Sequence, residues 1–285
     1  MISLDGEALA RKIREELKED VARLAAAGTT PGLGTILVGD DGPSDRYVAM
    51  KRADCAEIGI ASFHTHLPEQ TTQDELGELI ASYNANPEID AYLIQLPLPK
   101  HLDEEKTLLA VDPDKDVDGL HPVNLGRLVM GAPGPLPCTP SGIIELLAEY
   151  DVPVEGKHVV VIGRGLTIGR PMALLLALRR PHCNAAVTVV HTGVADLGAF
   201  TRQADVIIAA AGAANLVKKE MVRPGAAVIA AGVSRDGKKI LSDVDDDVEE
   251  VAGWLSPRIG GVGPMTRAML LRNAVLAAEK RAQRA

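Results

Sequence analysis

Few residues in this chain have the type and spacing for chemistry, and they fall into two groups. Tyr47 and Lys51 stand four apart, so on a helix they share one face. A buried lysine beside a ring can move protons, whereas an exposed one is only a solvated charge. Gln95 ends an apolar run, Ala91-Tyr92-Leu93-Ile94-Gln95-Leu96, at the carboxyl end of the strand it predicts. In open α/β sheets that edge is where ligands bind, although a glutamine there can equally satisfy the backbone of the Leu96–Pro99 loop. Asp112-Pro113-Asp114-Lys115-Asp116-Val117-Asp118-Gly119 resembles a calcium loop but lacks the central glycine and the closing glutamate. It reads as a turn-rich loop that aims Asp118 into a cleft and leaves Asp112, Asp114 and Asp116 as solvated acids.

The second group is His158-Val159-Val160-Val161-Ile162-Gly163-Arg164-Gly165-Leu166-Thr167-Ile168-Gly169, followed by an apolar helical stretch. Strand, glycine turn and helix in this order let a pyrophosphate approach backbone and meet a helix N-terminus. Gly163 would make the tight turn, Gly165 the close approach and Gly169 the close helix–strand contact. The G-x-G-x-x-x-G spacing is one residue longer than the usual fingerprint, and a glycine-rich turn that binds nothing reads the same way. The next strand ends Val189-Val190-His191-Thr192 with no Asp or Glu for a ribose 2′-OH. That favours NADP over NAD, with Arg164 as a positive partner and His191 and Thr192 as hydrogen-bonding ones. His121 and His191 have no serine or cysteine motif beside them, so neither a nucleophilic triad nor a metal site is expected.

The elements that must carry these residues alternate. Helical spacing of Leu9, Ile13, Leu17, Val21 and Leu24 predicts a helix over Leu4–Ala26, ended by Gly28. Leu33–Val38 reads as a buried strand and Gly39–Pro43 as a loop. Ser44 reads as the N-cap of a helix from Asp45 to Ile58. A strand at Ala61–Leu67, a helix at Thr72–Asn84 and the Gln95 strand follow, so the sheet is mostly parallel. Residues 101–140 carry six prolines and read as a long irregular loop. After a helix at Ser141–Tyr150, strands are expected at 158–162, 187–191, 205–209 and 226–231, with helices at 168–179, 194–202 and 218–222. A last amphipathic helix, Pro264–Arg284, shows Leu270, Leu271, Val275 and Leu276 on its apolar side. The fold class is α/β, as two α/β domains with a cleft between them, the C-terminal one of the Rossmann type.

Composition narrows the function. The 285 residues are 46% hydrophobic with a net charge of −9 and no run of Lys or Arg, which disfavours nucleic acid. Cys55, Cys138 and Cys183 are odd in number and widely spaced, which argues against disulfides and structural zinc. The N-terminus has no signal-peptide core, and the most apolar run, Val206–Ala214, is too short to span a bilayer. A soluble cytoplasmic protein with no membrane partner is expected.

Several segments in one order carry a resemblance: Tyr47-Val48-Ala49-Met50-Lys51, Gln95-Leu96-Pro97-Leu98-Pro99, Asp116-Val117-Asp118-Gly119-Leu120-His121-Pro122, Pro137-Cys138-Thr139-Pro140, the Gly163–Pro171 turn, and Gly260-Gly261-Val262-Gly263-Pro264-Met265-Thr266. With these, the chain resembles the bifunctional methylenetetrahydrofolate dehydrogenase/methenyltetrahydrofolate cyclohydrolase family over essentially its whole length. The resemblance implies a folate-binding catalytic domain, residues 1–140 completed by the helix 265–285, and an NADP-binding domain, residues 141–264. It implies a homodimer formed through the nucleotide domain, and tetrahydrofolate derivatives as substrates. Lys51 would assist water addition and ring opening, and Gln95 would hydrogen-bond it. Asp118 would hold the pterin, Tyr47 would stack on it, and Ser44 and Pro264 would line the substrate site. Val233 would offer a backbone contact to the nicotinamide. Two departures stand out: Gly165 where the family usually has Ser, and Gly232-Val233-Ser234 where Gly-Ile-Asn is common. Two other readings remain at this stage, a two-domain dehydrogenase of a small acid and a folate- or nucleotide-binding protein without turnover.

Overall fold

The computed structural model describes residues 1–40, 42–237 and 239–284. Asp41, inside the expected 39–43 loop, Lys238 and Ala285 lie outside the described residues. The chain divides into two compact units, one of Met1–Ala10 with Pro137–Thr266, the other of Arg11–Leu136 with Arg267–Ala285.

The chain opens with β1 (Ile2–Ser3) and α1 (Gly6–Ala26). All five apolar residues that predicted α1 are buried. Gly28, at φ +84°, lets Thr29 N–H return to Leu24 O and close the helix. The unit of Arg11–Leu136 continues with β2 (Gly32–Val38), α2 (Gly42–Ile58), β3 (Ala61–Leu67), α3 (Gln73–Ala85) and β4 (Ala91–Ile94). The three strands form a parallel sheet in the order β3-β2-β4, with every residue of the central β2 buried. Thr72 and Glu75 form a capping box on α3 and turn Leu76 and Ile80 into the core beneath the sheet.

Two expected element boundaries differ from the structure between Gly39 and Pro140. Helix α2 starts at Gly42, so Ser44 is not its N-cap but a buried residue of its first turn. The stretch 101–140 is not an irregular loop. It holds α4 (Glu104–Ala110), capped by Asp103, and α5 (Pro122–Met130), capped by His121 and stopped by Gly131 at φ +65°. It also begins α6 (Cys138–Glu149), three residues before the expected start at Ser141. Pro122 and Pro140 stand in first turns, where a missing N–H leaves no hydrogen bond unmade, so these prolines begin helices instead of breaking them.

The other unit carries β5 (His158–Ile162), α7 (Gly169–Ala177), β6 (Ala186–Val190), α8 (Gly198–Thr201), β7 (Val206–Ala209), β8 (Ala227–Ala230), β9 (Val233–Asp236), β10 (Lys239–Ser242) and β11 (Trp254–Leu255). Its parallel sheet runs β1-β11-β8-β7-β5-β6. The chain steps from β5 outward to β6 and returns to β7 on the opposite side of β5. The strand order therefore reverses between β5 and β7, which is where a doubly wound sheet opens a crevice. The helices expected at 194–202 and 218–222 shrink to the four-residue α8 and a 3-10 turn at Lys219–Met221. The antiparallel β9–β10 hairpin and the short β1–β11 pair have no counterpart in the hydrophobic pattern.

The last helix, α9 (Val262–Arg284), buries Leu270, Leu271 and Val275, but Leu276 is 47% exposed. From Arg267 onward α9 packs within the unit of Arg11–Leu136. Asn273 Nδ2 donates to Val117 O at 2.8 Å and Leu136 O at 3.0 Å, and Arg281 Nε meets Asp90 Oδ1 at 2.6 Å.

Candidate active site

Lys51 lies on α2 and is 5% exposed. Its Nζ is 3.1 Å from Gln95 Oε1 and 4.9 Å from the centre of the Tyr47 ring. The helical spacing of Tyr47 and Lys51 thus becomes a contact in which the aromatic face attracts the ammonium. Gln95 follows β4 directly, and its Nε2 donates to Leu96 O at 2.8 Å, leaving Oε1 as the acceptor for Lys51. Gln95 therefore satisfies the loop backbone and holds the lysine with the same amide. One helical turn on, Cys55 is buried, and desolvation, with the nearby Asp54 carboxylate adding, pushes its thiol up to about 12. It stays a protonated thiol and offers no nucleophile.

The segment leading to Asp118 lies beside β4. Residues 115–117 run parallel to β4, with Tyr92 opposite Asp116 and Tyr92 N–H donating to Lys115 O at 2.8 Å. Val117 N–H returns to Tyr92 O at 3.3 Å, and the chain then bends through 117–119, which carries Asp118. The turn that holds it is built by Asp116, which is not the solvated acid expected. Asp116 is 8% exposed and accepts from Gly119 N at 3.1 Å, His121 N at 2.8 Å and Asn124 Nδ2 at 2.9 Å. An Asp that bonds backbone a few residues on is ordinary turn chemistry, so the Asp-x-x-Gly spacing held a usable signal for this residue. His121 Nδ1 accepts from Val123 N at 3.1 Å and serves as a helix cap.

The nucleotide candidates gather at the carboxyl edge of the six-stranded sheet. Gly163, at φ +131°, leaves β5 with its N–H on Val190 O at 2.8 Å, and a Cβ there would run into the Ala210 carbonyl. A Cβ at Gly169 would strike the Gly163 backbone, so this glycine does permit close helix–strand contact. Gly165 opens on free space. The N-terminus of α7 has no side-chain cap, and in its first turn Arg170 N–H donates to Gly165 O at 3.1 Å and Pro171 has no N–H, so what it offers an anion is chiefly the positive end of the helix dipole. His191 and Thr192 follow β6, and Val233 opens β9. His191 Nδ1 accepts from Gly193 N at 3.1 Å, so the neutral ring carries its proton on Nε2. No carboxylate lies between Ala186 and Thr192, and the next one, Asp196, is engaged by Ala199 N–H and Arg202. These residues fit a dinucleotide with a 2′-phosphate. Pro264 stands in the first turn of α9, in the unit of Pro137–Thr266, whereas Lys51, Gln95, Tyr47 and Asp118 belong to the other unit. Among the described residues no group of three His, Cys, Asp or Glu could hold a metal ion, and no helix is long and apolar enough to cross a membrane.

Two family models match this chain in sequence order. Residues 4–118 match the tetrahydrofolate dehydrogenase/cyclohydrolase catalytic domain, and residues 137–282 match the NAD(P)-binding domain of the same family. The bifunctional protein FolD of Syntrophotalea carbinolica is 57% identical over 282 residues, 99% of this chain and 97% of that protein. The crystal structure of the bifunctional FolD dehydrogenase/cyclohydrolase of Campylobacter jejuni superposes with a TM-score of 0.95 at 45% identity, covering 99% of both chains. The FolD of Trypanosoma brucei, solved with NADP cofactor and inhibitor, superposes at 0.94 with 38% identity, covering 100% of this chain and 99% of that one. A shikimate dehydrogenase complexed with NADP⁺ matches at 0.51 and 15% identity, a likeness of fold alone. A buried lysine held by a glutamine, a folded aspartate loop and a dinucleotide turn, each on the domain where these matches fall, make this chain a member of the tetrahydrofolate dehydrogenase/cyclohydrolase family.

Proposed function

We infer how this chain's residues divide the work of a bifunctional enzyme. The enzyme oxidises 5,10-methylenetetrahydrofolate to the methenyl cation with NADP⁺, then hydrolyses the cation to 10-formyltetrahydrofolate. Bound NADP⁺ supplies the hydride acceptor, and the protein's part in that step is chiefly positioning. The turn from Gly163 to Gly169 and the uncapped N-terminus of α7 hold the pyrophosphate, and Arg164, His191 and Thr192 hold the 2′-phosphorylated ribose. Val233 meets the nicotinamide through its backbone.

Hydrolysis needs proton transfer. Lys51 takes a proton as water adds to the methenyl carbon. It returns that proton to N5 as the bond from that carbon to N5 breaks, while the hydroxyl on the carbon releases its own proton to water and becomes the carbonyl of the formyl group left on N10. Gln95 gives Lys51 a neutral acceptor, where a carboxylate would favour the ammonium and withhold the base. Tyr47 stacks on the flat part of the folate, Asp118 accepts hydrogen bonds from the pterin, and Ser44 and Pro264 line the substrate. The observation that carries this reading is the buried Lys51 with its Nζ 3.1 Å from Gln95 Oε1.

The reading includes a homodimer. Strand β6 ends the six-stranded sheet and leaves Val189 44% exposed, an edge that a second copy would cover. It also places the protein in the cytoplasm, where its three free cysteines would stay reduced. The test is a spectrophotometric assay with methylenetetrahydrofolate, run with NADP⁺ and NAD⁺ side by side while methenyl and reduced-cofactor absorbance are followed. Turnover with NADP⁺ preferred is expected. Folded protein that turns over neither cofactor would overturn the reading, and an NAD⁺ preference would overturn the roles given to Arg164, His191 and Thr192.

A further inference from the structure

Residues 210–213 leave the carboxyl end of β7 at the point where the strand order reverses, opposite the Gly163 turn that leaves β5. Ala210 N–H donates to Ile162 O at 2.7 Å, and the Ala210 carbonyl fills the space a Cβ on Gly163 would need. The next three residues present three successive backbone N–H groups, an array that binds anions. The anion here comes from the chain itself. Asp243 follows β10 and is fully buried. Its Oδ2 accepts from Ala211 N at 2.6 Å and Gly212 N at 2.9 Å, and its Oδ1 accepts from Ala213 N at 2.8 Å. Gly232, whose N–H donates to Ala209 O at 2.7 Å, makes room for it: a Cβ at 232 would run into the Asp243 carboxylate.

We propose that Asp243 is a positioning residue for the dinucleotide, its carboxylate fixing residues 210–213 as the second wall of the crevice that the Gly163–Gly169 turn faces. The assignment rests on the nucleotide site placed above. The carboxylate is too buried to meet the cofactor and works through the backbone it holds. By filling the three N–H groups at 211–213, it leaves the pyrophosphate only the turn and the N-terminus of α7. It also holds Gly212 through its N–H at 2.9 Å, close to Val233, the residue assigned above to the nicotinamide: a Cβ built at 212 would lie 3.9 Å from the Val233 carbonyl. Burial pushes the Asp243 carboxyl up from its ordinary value, and the three N–H groups oppose that rise. Asparagine has the same shape but one acceptor oxygen, so its NH₂ would face at least one backbone N–H donor to donor.

Asp243→Asn and Gly232→Ala test the proposal, the second by displacing the carboxylate from the other side. NADP⁺ affinity is read by titration calorimetry, and the methenyl cyclohydrolase rate is read on the same samples. The expected result for both variants is an NADP⁺ Kd raised at least tenfold, with the cyclohydrolase rate within twofold of wild type. Unchanged NADP⁺ affinity in either folded variant would overturn the proposal. So would a cyclohydrolase rate that falls in step with affinity, since that reports general damage. Wild-type protein that binds no NADP⁺ would overturn the nucleotide site itself, whereas wild-type binding with unaffected variants removes only the role of Asp243.

Discussion

Replacing Gln95 by Leu removes the acceptor from a lysine that is 5% exposed and has its Nζ 3.1 Å from Oε1. Losing a hydrogen bond to a charged or charging group costs about 1.5–3 kcal/mol. At about 1.4 kcal/mol per factor of ten, that is roughly a ten- to hundred-fold fall in cyclohydrolase kcat. Removing the lysine as Lys51→Met should cost more, about 10²–10⁴-fold, the usual worth of a positioned acid–base group. Because Gln95 acts through Lys51, the two losses should not add. Gln95→Leu in the Lys51→Met background should change the residual rate by less than about twofold, the mark of residues that work as a unit. Gln95→Glu sharpens the test. A carboxylate beside Nζ stabilises the ammonium and raises the lysine pKa. The limb of the pH–rate profile that needs neutral Lys51 should therefore move to higher pH, with activity lost at lower pH. The assay is methenyl hydrolysis followed by absorbance across pH, with NADP⁺ binding as the folding control. Additive losses in the double variant, or a Gln95→Glu profile that stays in place, would refute the argument.

Gly165→Ser should fold normally, because a Cβ there meets nothing within 4 Å, and its hydroxyl should raise the kcat/KM ratio for NADP⁺ over NAD⁺ by roughly tenfold, about one hydrogen bond to a charged phosphate; an unchanged ratio would remove that hydroxyl from 2′-phosphate recognition. Gly163→Ala has no such freedom, given φ +131° and the Ala210 carbonyl in the way, so NADP⁺ binding measured by calorimetry should be largely lost. Asp118→Ala should weaken folate binding with little change in Tm, whereas Asp116→Ala, which strips three donors of their acceptor, should lower Tm and weaken folate binding together; thermal melts and folate titrations separate the two. Asp90, whose side chain is 1% exposed and takes Arg281 Nε at 2.6 Å and Gly32 N at 2.8 Å, should cost about 1–3 kcal/mol as Asp90→Ala, chiefly because the buried Gly32 N–H loses its acceptor while Arg281, 40% exposed, can turn to water; urea unfolding would read this as a lower midpoint at unchanged slope.

The alternation of strand and helix, the long amphipathic α1 and the glycine turn between β5 and α7 were legible in the sequence, because each rests on short-range pattern. The five residues that predicted α1 recur at helical spacing, and Gly163 and Gly169 stand where backbone geometry admits little else. The shared face of Tyr47 and Lys51 was legible for the same reason. What sequence could not give was anything that pairs residues far apart. That Lys51 meets Gln95 depends on α2 packing over β2 and β3 while β4 pairs with β2 on its other side, although the two residues are separated in sequence by β3 and α3. Asp116 read as a solvated acid although its partners Gly119, His121 and Asn124 are local, because its burial follows only from residues 115–117 lying beside β4. Asp243 drew no notice at all, since its neighbours in sequence are acidic and exposed-looking while its true partners are Ala211, Gly212 and Ala213. Local propensity and periodicity fix elements, because those terms act within a few residues. Which side chains share a site is decided by tertiary packing, where a carboxylate becomes worth burying only after the N–H groups that solvate it have been brought together.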